Sequence, residues 1–261
     1  MESITRSGII TLTTDFGLND AYVGMVKGVI LNIFPSAKII DLTHNIEPQN
    51  ILQAGYLLKT SVPYFPEGTV HLAVVDPGVG TSRRPILVQT SEQFLVGPDN
   101  GIFTDFFSAN AKVFHLCRPE FFLSQISQTF HARDIFAPVS ARLAKGMEPE
   151  KLGEAIPDPK ILTLPQPEIQ PDRILGRIIH IDRFGNLITN IPRLQIPEKA
   201  LIRILGKEIP GISTSYTAPR GTLLAIIGSS GLLEISLASD NAALRLKARV
   251  GQTVEVRNAE T

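Results

Sequence analysis

The chain has 261 residues, 43% of them hydrophobic and 19% charged, which is enough for one large domain or two smaller ones with a sizeable core. Twenty-five basic and twenty-five acidic residues cancel, so no global field draws nucleic acid or an anionic membrane to it. The one cysteine, Cys117, excludes an intrachain disulfide, fits a reducing compartment and reads as a small core residue at the end of the apolar run Val113 to Cys117. Met1-Glu2-Ser3-Ile4-Thr5-Arg6 enters a strand almost at once, without the apolar h-region of a signal peptide. No apolar run reaches the length of a membrane span, so the expectation is a cytoplasmic protein.

Gly8 to Thr14 reads as a strand that ends at Asp15-Phe16-Gly17. Asp20 can cap a helix to about Phe34, with Val23, Val26, Ile30 and Ile33 at helical spacing. A strand over Ala37 to Leu42 ends at Thr43-His44, a helix follows from Ile51 to about Thr60, and a third strand runs from Thr69 to Val75. This βαβαβ order argues for a parallel sheet with right-handed crossovers. Short strands are expected over Ile86 to Gln89 and Phe94 to Val96, a short helix over Ile102 to Phe107, a strand over Lys112 to Cys117, and a helix from Ile135 to Lys145. Pro157, Pro159, Pro165, Pro167 and Pro171 then make a helix or central strand untenable, and the stretch reads as a linker. Beyond it lie the β-type runs Ile174 to Ile181, Leu201 to Ile204, Thr222 to Ile227, Leu232 to Ile235 and Val250 to Val256, which suggest a smaller all-β barrel or sandwich.

Three early strands end in acids or a histidine: Asp15, the Asp41/His44 pair, and Asp76. Each could be a turn former, since Asp bonds its own backbone. Together they mark one edge of a sheet, where open α/β folds bind ligands. Asp15 suits a ribose diol, because a carboxylate accepts two hydroxyl hydrogen bonds. Asp76 opens the loop Asp76-Pro77-Gly78-Val79-Gly80-Thr81-Ser82-Arg83-Arg84, in which an acid and a guanidinium can fix a small polar reactant. No G-x-x-x-x-G-K-[ST] occurs, and Gly78-Val79-Gly80 lacks the G-x-G-x-x-G spacing, which disfavours a nucleotide phosphate or dinucleotide. His131, in Phe130-His131-Ala132-Arg133-Asp134, sits at the expected mouth of a helix, which disfavours imidazolium and leaves it able to accept a proton. Asp, Arg and His together could hold and polarise a water. His44 could extend them into a metal site, but there is no H-x-H or H-E-x-x-H pair and no Cys cluster. In the β region, Asp182, Phe184 and Asn186 suit an ammonium, a stacked base and a base edge, or form an ordinary turn. Gly228-Ser229-Ser230-Gly231 can bind a carboxylate or be only a hairpin turn, and Gly97-Pro98-Asp99-Asn100-Gly101 reads as a structural turn.

Taken in order, Thr13 to Gly17, Val75 to Thr81, Gly97 to Gly101, Phe130 to Pro138, Asp182 to Asn186 and Gly228 to Gly231 resemble the S-adenosyl-L-methionine (SAM) hydroxide adenosyltransferases, or SAM hydrolases, relatives of the SAM-dependent fluorinase and chlorinase. The resemblance implies an α/β chain with a Rossmann-like N-terminal domain over 1–155, a Pro-rich linker over 156–172 and a C-terminal β-barrel over 173–261. It implies a homotrimer with the substrate at subunit interfaces, no cofactor, no metal, and neither nucleic acid nor membrane as partner. The implied reaction is SAM plus water giving adenosine and L-methionine. Family pattern assigns the chemistry to Asp76, Arg83 and His131, with Arg83 rather than Arg84 set by a seven-residue spacing after the Asp. It gives Asp15 the ribose hydroxyls, Phe184 and Asn186 the adenine, Asp182 the methionine ammonium, and Ser229 and Ser230 the methionine carboxylate. Two positions depart from the pattern: Ala132 replaces the Gly of His-Gly-Arg-Asp, and Ser230 stands where the fluorinase branch has arginine. A non-catalytic SAM- or adenosine-binding protein and a metal-dependent hydrolase are the competing expectations.

Overall fold

The computed structural model describes residues 4–259, so Met1 to Ser3 of the expected strand entry lie outside the described residues. The chain divides into two compact units, Met1–Thr163 and Leu164–Thr261, and the boundary falls inside the proline-rich stretch.

The first unit is a mixed seven-stranded sheet in the order β2-β1-β3-β5-β4-β6-β7. Its strands are β1 (Ile9–Thr14), β2 (Lys38–Thr43), β3 (Val70–Val74), β4 (Pro85–Gln89), β5 (Phe94–Pro98), β6 (Lys112–His115) and β7 (Glu154–Ala155). Strands β2, β1, β3 and β5 run parallel, whereas β4 is antiparallel to β5 and β6, and β6 to β7. The helices are α1 (Tyr22–Ile33), α2 (Ile51–Ser61), α3 (Ala137–Ala144) and the single turn α4 (Pro149–Leu152). Val26 and Ile30 of α1 and Val139 and Leu143 of α3 bury against one sheet face, together with Val70, Leu72 and Val74. Ala54 and Leu58 of α2 bury against the other with Ala73 and Val75. Strand β3 therefore has apolar neighbours on both faces, which is why nearly every residue of it is apolar.

One polar residue interrupts that strand. His71 is fully buried, with Nδ1 2.8 Å from Thr11 Oγ1 and Nε2 2.5 Å from Gln93 Oε1. Gln93 donates onward to the carbonyls of Val62 and Phe65, so the histidine is one link in a satisfied interior network.

The second unit is a nearly closed, barrel-like sheet in the order β12-β11-β15-β9-β10-β14-β13, with β8 added against β9. Its strands are β8 (Glu168–Ile169), β9 (Arg173–Ile181), β10 (Leu187–Pro192), β11 (Ala200–Ile204), β12 (Lys207–Pro210), β13 (Leu223–Ile227), β14 (Leu232–Leu237) and β15 (Thr253–Asn258). Ser213, just past β12, bridges to Ile226 of β13, which draws the two ends of the sheet toward each other. A short helix, α5 (Ala242–Leu246), is capped by the Asn241 side chain accepting from Leu244 N.

Several local expectations are corrected. Asp20 does not cap α1; Ala21 stands at its N-cap without a side-chain bond. The stretch Ile102 to Phe107 forms only a 3-10 turn over Thr104–Phe106, tied by Thr104 Oγ1 to the Gly101 carbonyl at 2.7 Å. The helix placed at Ile135 starts earlier, as a π-helical turn over Ala132–Phe136 that runs into α3. Cys117 lies beyond β6 and is half-buried rather than a core residue. No helix among the described residues is long and apolar enough to cross a membrane.

Candidate active site

The register of the parallel strands places the first two acids. Thr14 of β1 is paired with Val74 of β3, so Asp15 and Asp76 leave the sheet at one edge, one and two residues past that pair. The chain passes to β2 on one side of β1 and to β3 on the other, and such an order reversal opens a crevice at the strands' carboxyl ends. A cavity of about 290 Å³ lies there, lined by residues that include Asp15, Phe16, Gln49, Asp76, Phe130 and His131.

Asp76 and Arg83 meet side-on. Arg83 Nε donates to Asp76 Oδ1 at 3.1 Å and Nη2 to Oδ2 at 2.5 Å. The two side chains are only 5% and 7% exposed, so the pair is largely withdrawn from water. Burial pushes the Asp76 carboxyl above its ordinary range, against the opposing pull of Arg83. The same Nη2 lies 3.1 Å from His131 Nδ1. A guanidinium can only donate, so Nδ1 is the acceptor and a neutral His131 carries its proton on Nε2. Burial first, and then the charge of Arg83, lowers the His131 pKa, which keeps the ring neutral. Arg83 Nη1 is buried with no partner among the described residues.

Two loops carry these groups, and glycine lets them touch. Gly80, at φ +76°, lies so near the Gln128 carbonyl that any Cβ there would overlap it. Asp134, fully buried, accepts from Ser127 N at 2.8 Å and from Arg133 Nε at 2.6 Å, fixing the loop that leads to His131. Asp134 and Arg133 are thus a loop tie and an ion pair. Phe16, Tyr22 and Phe130 form an edge-on trio beside the cavity.

Asp15 Oδ2 accepts from Gln49 N at 2.8 Å. Gln49 adopts φ +67°, a conformation uncommon for a residue with a Cβ, and nothing in the sequence around Pro48 signals it. His44, read as a possible ligand, is a loop tie: Nδ1 lies 2.8 Å from Thr14 Oγ1 and its carbonyl accepts from Gly17 N. Among the described residues no group of His, Cys, Asp and Glu is arranged to hold a metal ion. Arg84 points elsewhere, donating to Asp99 at 2.9 Å and Asp158 at 2.9 Å. Asn100 Nδ2 donates to the Val75 carbonyl at 2.8 Å, so the 97–101 turn braces the end of β3.

The other five candidates lie in the second unit, on two hairpin turns. Asp182 accepts from Asn186 N and Asn186 Nδ2, each at 2.8 Å, so these two side chains hold one turn together. Gly185 closes that turn at φ +85°, where the Asn241 side chain leaves no room for a Cβ. Phe184 at its tip is 76% exposed. Ser229 and Ser230 occupy the β13–β14 turn, where Gly228 N donates to the Leu232 carbonyl and Gly231 N to the Gly228 carbonyl, each at 2.9 Å. Ser230 Oγ is buried without a partner among the described residues. The expected run of strands omitted β10, because Leu187 to Pro192 mixes polar and apolar residues and ends in proline. Reading Leu232 to Ile235 as an apolar strand also passed over Glu234; a lone acid in a buried strand was the available signal.

Comparison with known proteins bears on the whole chain. Residues 10–153 match the model of the SAM hydroxide adenosyltransferase N-terminal domain, and residues 176–255 match that of the C-terminal domain. An (R)-S-adenosyl-L-methionine hydrolase from Methanocaldococcus jannaschii is 40% identical, over 95% of this chain and 95% of that one. A fluorinase from Nocardia brasiliensis is 25% identical, over 97% of each. Among solved structures, an uncharacterized conserved protein from Thermotoga maritima aligns with a TM-score of 0.88 at 35% identity, covering 95% of this chain and 99% of that one. With both domain models matched in order and full-length relatives at this identity, the chain belongs to the SAM hydroxide adenosyltransferase family.

Proposed function

We propose that the protein hydrolyses SAM to adenosine and L-methionine by attack of water at C5′, and that it acts on the R epimer at sulfur for which its M. jannaschii relative is named. The observation that carries this reading is the buried Asp76 carboxylate, clamped by Arg83 in a cavity shared with Asp15 and a neutral His131.

The sulfonium needs no acid, because it departs as a neutral thioether. The task left to the protein is to place a water and remove its proton. Asp76 is the base in this reading. Both its oxygens accept from Arg83, yet a carboxylate has about four lone-pair sites, so acceptor capacity remains for a water. His131 is a poor candidate for base, since its one basic nitrogen already accepts from Arg83, and its Nε2–H serves to orient. As the water oxygen bonds to C5′, the C5′–S pair leaves with sulfur and the proton passes to Asp76. The products are adenosine and uncharged thioether.

The same carboxylate argues against halide transfer. Two like unit charges about 4 Å apart repel by roughly 4 kcal/mol at an effective dielectric constant near 20. A halide beside Asp76 bears that cost, whereas a water is activated by it.

Asp15 takes the ribose hydroxyls with the carboxylate capacity that Gln49 leaves open. The reading keeps the family's assignments for the second unit: Phe184 and Asn186 on adenine, Asp182 on the ammonium, Ser229 and Ser230 on the carboxylate. A cavity of about 290 Å³ is small for a ligand of this size, as ligand pockets run from about 300 to 1,000 Å³. Walls from a neighbouring subunit of a homotrimer would complete it. The first unit, with its parallel β2-β1-β3-β5 core between helical layers, reads as Rossmann-like. The chemistry calls for no cofactor, and the lone cysteine fits a cytoplasmic setting.

The test is incubation of chelator-treated protein with separated R and S epimers of SAM in ¹⁸O-labelled water. The expected result is methionine plus adenosine labelled at the 5′ oxygen, from the R epimer. Binding without turnover would favour a SAM-binding protein, and activity restored only by added metal would favour a metal-dependent hydrolase.

A further inference from the structure

Glu234 is a charged residue placed inside a buried strand, and the mechanism above makes no use of it. In the ladder it stands opposite Ile188 of β10 and opposite Ile226 of β13. Ile188 lies two residues after Asn186, and Ile226 two residues before Gly228. The residue is therefore set between the Asp182–Asn186 turn and the serine turn, on the strand that pairs with both.

Its side chain touches the serine turn directly. Glu234 is 8% exposed, and Oε1 lies so close to Gly228 that a Cβ on that glycine would overlap it. Tyr216 donates its hydroxyl to Oε2 at 3.1 Å and holds the carboxylate from the other side. Among the described residues, no ion pair joins Glu234 to a cation; the side chains that bear on its charge are Tyr216, by its hydrogen bond, and Asp182. Burial and the Asp182 charge push its pKa upward, as expected of a carboxylate whose charge lacks an offset. The substrate proposed above would bring such an offset in its α-ammonium.

Resting on the SAM-hydrolase reading, we propose that Glu234 is a positioning residue for the amino-acid end of the substrate, bracing the Gly228–Gly231 turn and offsetting the ammonium held at Asp182. The truncated substrate separates this role from scaffold integrity, since damage to the scaffold falls on both substrates alike.

The experiment compares full-length wild type with Glu234→Gln, which keeps the shape and removes the charge. Two substrates are used: SAM, and 5′-deoxy-5′-(dimethylsulfonio)adenosine, a sulfonium lacking the amino-acid end. The expected result is a KM for SAM raised about 10-fold or more with kcat within about 3-fold, the scale of one lost charge-assisted contact. Kinetics with the truncated sulfonium should be unchanged. An unaltered KM for SAM, or equal damage with both substrates, overturns the proposal. Should Glu234→Gln not fold, Tyr216→Phe replaces it, with a smaller rise in KM for SAM alone expected and no rise overturning the idea. Calorimetric titration with L-methionine separates the two readings. A wild type that fails to turn over SAM refutes the hydrolase assignment, while Glu234 still stands or falls on whether Glu234→Gln weakens L-methionine binding.

Discussion

Replacing Asp76 with asparagine removes one charge and exchanges one carboxylate oxygen for an amide nitrogen. Arg83 occupies both oxygens, through Nε at 3.1 Å and Nη2 at 2.5 Å, so the variant sets a donor against a donor at one of them. Breaking a buried ion pair by altering one partner costs about 3–5 kcal/mol; asparagine keeps one acceptor, which places this change near the lower end. At about 2–4 °C per kcal/mol for a chain of this size, the melting temperature should fall by roughly 6–12 °C. The effect on turnover has a different origin. Loss of a general base costs about 10²–10⁴-fold, and asparagine cannot take a proton from water at neutral pH. Affinity for SAM should change little, because the ribose and amino-acid ends are held elsewhere. The assay pairs chromatographic release of adenosine with calorimetric binding, well below the variant's melting temperature. Turnover within about 3-fold of wild type would falsify the assignment of Asp76 as the base and hand that role to His131, a second basic group lining the cavity.

Gly80→Ala should lower kcat by about 10–100-fold and the melting temperature by roughly 2–8 °C, because a Cβ at φ +76° adds about 1–2 kcal/mol of backbone strain and would push the Asp76–Arg83 loop off the Gln128 carbonyl, stretching the Arg83–His131 contact; steady-state kinetics well below the variant's melting temperature checks it. Arg84→Ala should affect stability alone: it takes the guanidinium from the buried Asp99 carboxylate, which keeps a bond from Lys160 N, at a cost of about 2 kcal/mol, lowering the melting temperature by roughly 4–8 °C while kcat stays at the wild-type value. Acid should destabilise the first unit through His71, whose burial lowers its pKa to about 4 from an ordinary 6.5. The unfolded chain then binds more protons than the folded one between those values, so stability is full above the unfolded pKa and is lost as pH falls toward about 4. Between pH 7 and about 4.5 the loss is on the order of 2.5 kcal/mol, and urea titrations of wild type and His71→Leu at both pH values should show that much less acid sensitivity in the variant.

What could be read in the sequence and what could not divide along physical lines. Asp15 and Asp76 stood out because acids follow apolar runs, and apolar runs long enough for a strand seldom do anything else. The α/β first half and the β-rich second half follow from the same periodicities. By contrast, Arg83 and Arg84 are chemically identical neighbours that residue type cannot separate; the family spacing selects Arg83, and the partners tell the two apart physically, Asp76 and His131 against Asp99 and Asp158. His44 reads as a ligand in one dimension and is a loop tie in three, since Thr14 and Gly17 reach it only after β1 and β2 pair. The π-helical turn at Ala132 lets Asp134 reach Ser127 N while Leu123 N bonds its carbonyl, a tertiary demand with no local signature. Gln49 is the same kind of case: its positive φ is held by the Asp15 bond, and no residue preference announces it.

The charge balance around Asp76 links this architecture to chemistry. A base for water must be ionised at working pH and still hold a proton well enough to take it. Burial alone would drive a carboxyl toward its neutral form, and a bidentate guanidinium alone would make it too weak a base. Here burial is the larger influence and Arg83 the smaller, so the pKa lies above its ordinary value while the pair stays hydrogen-bonded. His131 fits the same balance by staying neutral: a second full positive charge beside Asp76 would pull its pKa back down, and burial first, then the charge of Arg83, opposes that protonation. The arginine therefore acts twice, steadying an ionised Asp76 and keeping the imidazole uncharged. An Arg83→Lys variant tests this, since a lysine ammonium cannot reproduce the side-on fork or reach both partners in one plane. The expected outcome is a loss of kcat comparable to that of Asp76→Asn, about 10²-fold or more, with SAM affinity retained; full activity in Arg83→Lys would mean that a point charge suffices and that the geometry of the fork is incidental.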